Sequence, residues 1–119
     1  METGYPLEVK KDYDFGNTVD NKLWDISINT LKCCMHETYE DCPYYEQFQY
    51  AMDTYLQMLF TMKITNDTAL IKRGINDFAM SVSAGGLSQS RVPSVTPQYI
   101  TGFSLYLIYM LDALERNKG

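Results

Sequence analysis

Apolar side chains recur along this chain at steps of three and four residues. Trp24, Ile28, Leu31 and Met35 are spaced 4, 3 and 4, which puts them on one face of a helix, and a first helix over residues 20–34 is expected. Phe48, Met52, Tyr55, Leu59 and Met62 step by 4, 3, 4 and 3 and predict a second helix over 44–63 with that face in the core. Ile71, Ile75, Phe78 and Val82 repeat the pattern, with Asn66 or Asp67 as cap and Gly85-Gly86 as stop. A fourth helix, starting between positions 99 and 102 and running to 115 or 116, is apolar nearly all round, the mark of a helix covered on several sides. Residues 1–17, with Gly4, Pro6, Gly16 and the charged patch EVKKDYD, predict an extended arm with one short strand. The fold class is therefore all-α, built of antiparallel helical hairpins behind a short extended N-terminal arm, with 18–119 as the helical domain.

The link between the first two predicted helices carries the densest polar chemistry. Pro43 fits the first turn of a helix, where its missing N–H costs nothing, with Asp41 or Cys42 at the cap. On a wheel with Glu46 at zero, Tyr50 falls at about +40°, Asp53 at about −20° and Gln57 at about +20°. That polar stripe lies opposite the predicted core face. A line of carboxylates on a helix is most often a solvated face. Here Glu37, Glu40 and Asp41 crowd the same region, and Tyr39, Tyr44, Tyr45 and Tyr50 surround it. Crowded carboxylates raise one another's proton affinity, as a general acid requires, while a helix N-terminus opposes it. Such residue types suit glycoside cleavage, in which one acid protonates the leaving oxygen and a second carboxylate acts from the other side.

Composition narrows the alternatives. The chain has 119 residues, a net charge of −5 and ten scattered Lys and Arg, which argues against binding nucleic acid through its phosphates. No apolar run reaches the roughly 18–20 residues needed to cross a bilayer, the longest being FSLYLIYML at 103–111, so no membrane is expected as a partner. The N-terminus has no basic segment followed by an apolar one, so no signal peptide is expected. Cys33, Cys34 and Cys42 are odd in number and two are adjacent, which suits free thiols in a reducing, cytoplasmic setting. With His36 they form C-C-x-H-x5-C, which matches no usual zinc knuckle. Neither a metal nor a cofactor is expected.

The stretch HETYEDCPYYEQFQYAMD, with GGLSQSRVPS and QYITGFSLYLIYML, resembles the catalytic region of bacterial alpha-L-rhamnosidases of glycoside hydrolase family 78 over roughly residues 20–112. The resemblance implies part of a six-hairpin (α/α)6 barrel. The usual family motif, Asp-Cys-Pro-x-Arg-Glu-Arg-x-Gly-Trp-x-Gly-Asp, aligns without a gap. By that match Glu46 is the general acid, and Asp41 and Asp53 hold the rhamnose ring. Tyr50 stands for the tryptophan and keeps a stacking ring. Tyr45 and Gln47 replace two arginines, Gln49 and Met52 replace two glycines, and Arg91 is the candidate replacement donor.

The family's inverting mechanism also needs a base, which falls in a later hairpin beyond the matched region. The chain is thus expected to be a piece of a longer glycosidase that acts on terminal rhamnosides, weak or inactive alone, and to self-associate or need a companion chain over its exposed barrel surface. The alternative is a small helical module that binds carbohydrate or protein without catalysis. Exposed apolar surface discriminates between the two.

Overall fold

In the computed structural model, which describes residues 3–10 and 13–118, Asn17 sets the start of the first helix. Its Oδ1 accepts from the Asp20 N–H at 2.9 Å while its Nδ2 donates to Asp20 Oδ2 at 2.6 Å, satisfying one of the free donors of a helix N-terminus. Helix α1 runs Thr18–Cys33. Met1, Glu2, Lys11 and Asp12 of the predicted arm, and Gly119 at the other end, lie outside the described residues.

Helix α2 is Ala51–Ile64 and helix α3 is Ala69–Met80. A 3-10 turn, Thr101–Phe103, leads into helix α4, Ser104–Asn117. No strand occurs among the described residues; pairing is limited to isolated bridges, Met35 with Tyr39 and Tyr50 with Arg91. The short strand expected in the arm is absent from its described part. Helix α4 packs against α2 and α3, and the core lies among them, with Met35, Tyr39, Met58, Phe78 and Met110 fully buried. The Tyr39 hydroxyl donates to Thr61 Oγ1 at 2.8 Å, so the largest buried polar ring has its partner.

Two predicted boundaries move. Helix α2 starts at Ala51 and not near position 44: Gln47 is left-handed, φ 53°, and the Phe48 N–H, which a helix would have bonded to Tyr44 O, donates to Asp41 Oδ1 instead. The buried stripe of α2 is consequently Ala51, Thr54, Met58, Thr61 and Met62. Phe48 is only half-buried and Met52 is exposed, so the predicted core face is rotated. Helix α3 stops at Met80, before the glycine pair. Ser81 ends it by donating both its N–H and its hydroxyl to the Phe78 carbonyl, at 3.1 and 2.7 Å, and Val82 is left outside in solvent.

The arm is tied to the helices. Leu7 is buried, the Tyr5 N–H donates to Met35 O at 2.8 Å, and the Lys10 N–H donates to Ile64 O at 2.8 Å. Further along, Tyr13 and Phe15 gather on Trp24, with Tyr13 edge-on at 4.9 Å between centroids.

The assembly is open. Its accessible surface is 7749 Å², where a folded monomer of this mass exposes about 6600 Å². Its radius of gyration is 15.1 Å, against about 13.5 Å for a closed domain of this length. Many apolar side chains stay exposed: Val19, Leu23 and Ile26 on α1, Leu56 and Phe60 on α2, and Leu105, Ile108 and Leu111 on α4.

A pH-dependent latch holds the arm. The Tyr5 hydroxyl donates to Asp67 Oδ2 at 2.5 Å. This bond is the main reason the Asp67 carboxyl is held below its ordinary range, helped by the Ala69 N–H and Lys10, and the same bond helps push Tyr5 up to about 12. A depressed carboxyl contributes stability that is present above its unfolded value, about 3.9, and is lost as pH falls through the folded value. A raised tyrosine contributes stability that is present below about 10 and is lost as pH rises through the folded value. Tyr5→Phe should therefore lower the thermal midpoint at pH 7 and bring the variant and wild-type curves together toward pH 3, as read by melting across that range.

Candidate active site

Asp41 closes a loop. Its N–H donates to Phe48 O and its Oδ1 accepts from the Phe48 N–H, both at 2.9 Å. Inside the loop the Cys42 sulfur accepts from the Glu46 N–H at 3.4 Å. Amides of Gln47, Glu46, Tyr44 and Tyr45 together pull the Cys42 thiol below its usual range. Successive amides pointing at one acceptor form an anion-favouring nest. Gln47 takes a left-handed conformation, φ 53°, and its side-chain amide donates to Pro43 O at 3.1 Å. A non-glycine residue rarely sits there, and it turns the chain back toward Phe48. The loop carries Glu46 and Tyr45 outward; both are exposed.

Residues 88–92 form the platform beneath it. The Ala51 N–H donates to Ser90 O at 2.9 Å and the Val92 N–H to Gln49 O at 3.1 Å. Tyr50, the residue before α2, has extended dihedrals and no side-chain cap, so the Ser90 carbonyl takes one of the free amides of the helix start. Arg91 lies with its guanidinium carbon 4.5 Å from the Phe48 ring centroid and 5.9 Å from that of Tyr50, and donates to the Tyr50 hydroxyl at 3.3 Å. This cation–π stack continues as a ladder of rings from Tyr50 through Phe103 and Tyr106 to Tyr55 and Tyr109.

Asp53 sits in the first turn of α2, half-buried. Burial raises its proton affinity above the ordinary carboxyl range, and the Asp41 and Glu46 carboxylates raise it further; its own backbone N–H opposes them. Asp53 therefore lies within the field of Asp41 and Glu46. Glu40, almost fully buried, is likewise raised by burial, against the pull of His36, whose Nδ1 lies 3.0 Å from Glu40 Oε1. Among the described residues no group of His, Cys, Asp and Glu is arranged to hold a metal ion. Cys33, Cys34 and Cys42 are free, and Cys34 is buried.

All six sequence candidates fall in this region, from different elements. Asp41, Tyr45 and Glu46 belong to the loop, Tyr50 to its end, Asp53 to α2, and Arg91 to the platform. Glu46 is not on a helix, so the helical stripe predicted to carry it together with Asp53 does not form; it sits on the loop before α2. Sequence reasoning missed Cys42 as the loop's internal acceptor and Gln49 as its anchor. The signal for the first was the Cys-Pro pair followed by no apolar period until Phe48; nothing local marked the second. A cavity of about 760 Å³ lies between α1 and α2, lined by Trp24, Ile28, Leu31, Phe60 and Ile64, with Asp41 and Gln57 also at its edge. Glu46 and Asp53 do not line it.

An all-helical scaffold that presents clustered carboxylates beside a ring-lined platform is the layout of a helical-hairpin glycosidase domain. Residues 16–107 match the family described as bacterial alpha-L-rhamnosidase 6 hairpin glycosidase domain, and the chain belongs to that family. Among solved structures it is similar to a GH78 family rhamnosidase of Bacillus sp. GL1, with a TM-score of 0.83 and 26% identity over 90% of this chain. The match covers 11% of that rhamnosidase's own length. No curated protein matches.

Because Asp53 holds its proton more tightly folded than unfolded, its charge opposes folding at neutral pH. Asp53→Asn should raise the thermal midpoint at pH 7, and the gain should vanish near pH 3, where Asp53 is itself protonated. Melting curves at the two pH values check both parts.

Proposed function

We propose that this chain supplies the acid half of an alpha-L-rhamnosidase site, within an inverting hydrolysis of terminal rhamnosides that the longer enzyme completes. Glu46 is the general acid, on an exposed loop where a glycosidic oxygen can reach it. Asp41 and Asp53 accept hydrogen bonds from the ring hydroxyls, Tyr50 stacks on the apolar face of the sugar, and Tyr45 and Arg91 border the pocket. In this reading residues 18–119 are the partial catalytic domain and 1–17 an arm. The observation that carries it is the placement of the three motif carboxylates: Asp41 and Glu46 on the closed loop and Asp53 in the first turn of the helix that follows it, where burial, and after it Asp41 and Glu46, raise the Asp53 carboxyl.

An inverting glycosidase needs a second carboxylate about 6.5–9.5 Å from the acid, across a water. Asp41 and Asp53 are committed to sugar binding in this reading, so the base comes from a further hairpin. The same hairpins would cover the open apolar faces of α1, α2 and α4, and until they do the pocket has one wall. Turnover by this chain alone is accordingly expected to be weak or absent, while binding of the sugar ring survives.

The test is an amide-correlation NMR titration of the chain with L-rhamnose, with D-glucose as control. Shifts at Asp41, Glu46, Tyr50 and Asp53 with rhamnose only are expected. Glu46→Gln should leave that titration nearly unchanged, since it removes a proton donor and little volume, and should abolish most turnover in a full-length enzyme that contains the segment. A spectrum indifferent to both sugars, or full turnover in the variant, would contradict the reading.

A further inference from the structure

Gln49 is 1% exposed, in the middle of a motif whose candidate reactive side chains all face outward or sit half-buried. Its Nε2 donates to Val92 O at 3.0 Å and to Asp77 Oδ2 at 3.2 Å, and its backbone carbonyl accepts from the Val92 N–H at 3.1 Å. Asp77 is held in turn by Arg73 Nε at 3.3 Å. One side chain thus joins the carboxylate loop to the platform and to α3. The backbone on each side is also fixed: Phe48 by both hydrogen bonds to Asp41, and Ala51 by Ser90.

Space for this side chain is made across the interface. A β-carbon at Gly74 would come 3.1 Å from Gln49 Oε1 and 3.2 Å from Thr54 Cγ2, closer than ordinary van der Waals contact. Glycine in a helix costs stability relative to alanine, and here it admits the Gln49 amide. A glycine at 49, as in the usual form of the motif, would keep the backbone bond from the Val92 N–H but lose the side-chain bonds to Val92 O and Asp77.

We propose that Gln49, seated against Gly74, is the positioning residue that fixes the loop of Asp41 and Glu46 relative to Asp53. The inference rests on the proposed function for its catalytic meaning, but its structural content can be read without sugar. A buried donor with two acceptors holds its segment in one register, and small displacements of a catalytic group cost activity steeply.

The experiment uses the full chain with Gln49→Met, which keeps volume and removes the donor, and Gly74→Ala, which presses on the same amide from α3. Ile71→Val, a core truncation elsewhere on α3, is the control. Readouts are the NMR titration midpoint of the Asp53 carboxyl, hydrogen exchange at the Glu46 and Phe48 amides, and the L-rhamnose titration. Both test variants should lower the Asp53 midpoint, as Asp41 and Glu46 drift away, speed exchange in the loop, and weaken rhamnose binding about tenfold. The control should change only the thermal midpoint. If Gln49→Met does not fold, Gly74→Ala decides. An Asp53 midpoint and loop exchange that stay at wild-type values in a folded test variant would overturn the proposal. A wild-type chain blind to rhamnose would overturn the proposed function, while the Asp53 and exchange readouts would still decide the role of Gln49.

Discussion

The Asp41 carboxylate takes the Phe48 N–H, which a helix begun near position 44 would have bonded to the Tyr44 carbonyl, while the Cys42 sulfur gathers the amides just before it. This local competition between side chain and backbone decides the architecture of the site. It delays α2 until Ala51, leaves Gln47 left-handed, and throws Glu46 out on a closed loop while Asp53 stays in the first turn of the helix that follows. The rest is support: the 88–92 segment receives the end of the loop, Arg91 clamps Phe48 and Tyr50 from above, and Gln49 pins the junction from below.

Four helices were legible because apolar residues recur at steps of three and four along each, and in α3 the steps of Ile71, Ile75 and Phe78 correspond to buried positions. The second helix misled for a physical reason. Its apolar spacing began at Phe48, but that ring is held by a guanidinium at the edge of the core, and the buried stripe falls on the small and polar Ala51, Thr54 and Thr61 instead. Periodicity counts apolar residues and is blind to a threonine buried with its hydroxyl bonded back to the helix, as Thr61 is to Gln57 O. The candidate residues themselves were found through the motif. What no local pattern could supply was their support, because Gln49 and Gly74 are partners only through the packing of α3.

The apolar faces left open on α1, α2 and α4 belong to the same account. Each of these helices buries part of its apolar surface within the chain and leaves the rest in solvent. The candidate site is likewise at the surface, with Glu46 exposed and Asp53 half-buried. Burial already raises that carboxyl and two neighbours raise it further, so its titration reports the assembly of the site.

The most direct measurement is the carbon-13 NMR titration of the Asp53 carboxyl in the wild-type chain, in Asp41→Asn and in Glu46→Gln. If the three carboxylates share one field, each substitution removes a negative neighbour and lowers the Asp53 midpoint, with the amide spectrum otherwise preserved. An Asp53 midpoint that ignores both substitutions would mean that the loop does not bring Asp41 and Glu46 to the start of α2, and the half-site would not exist.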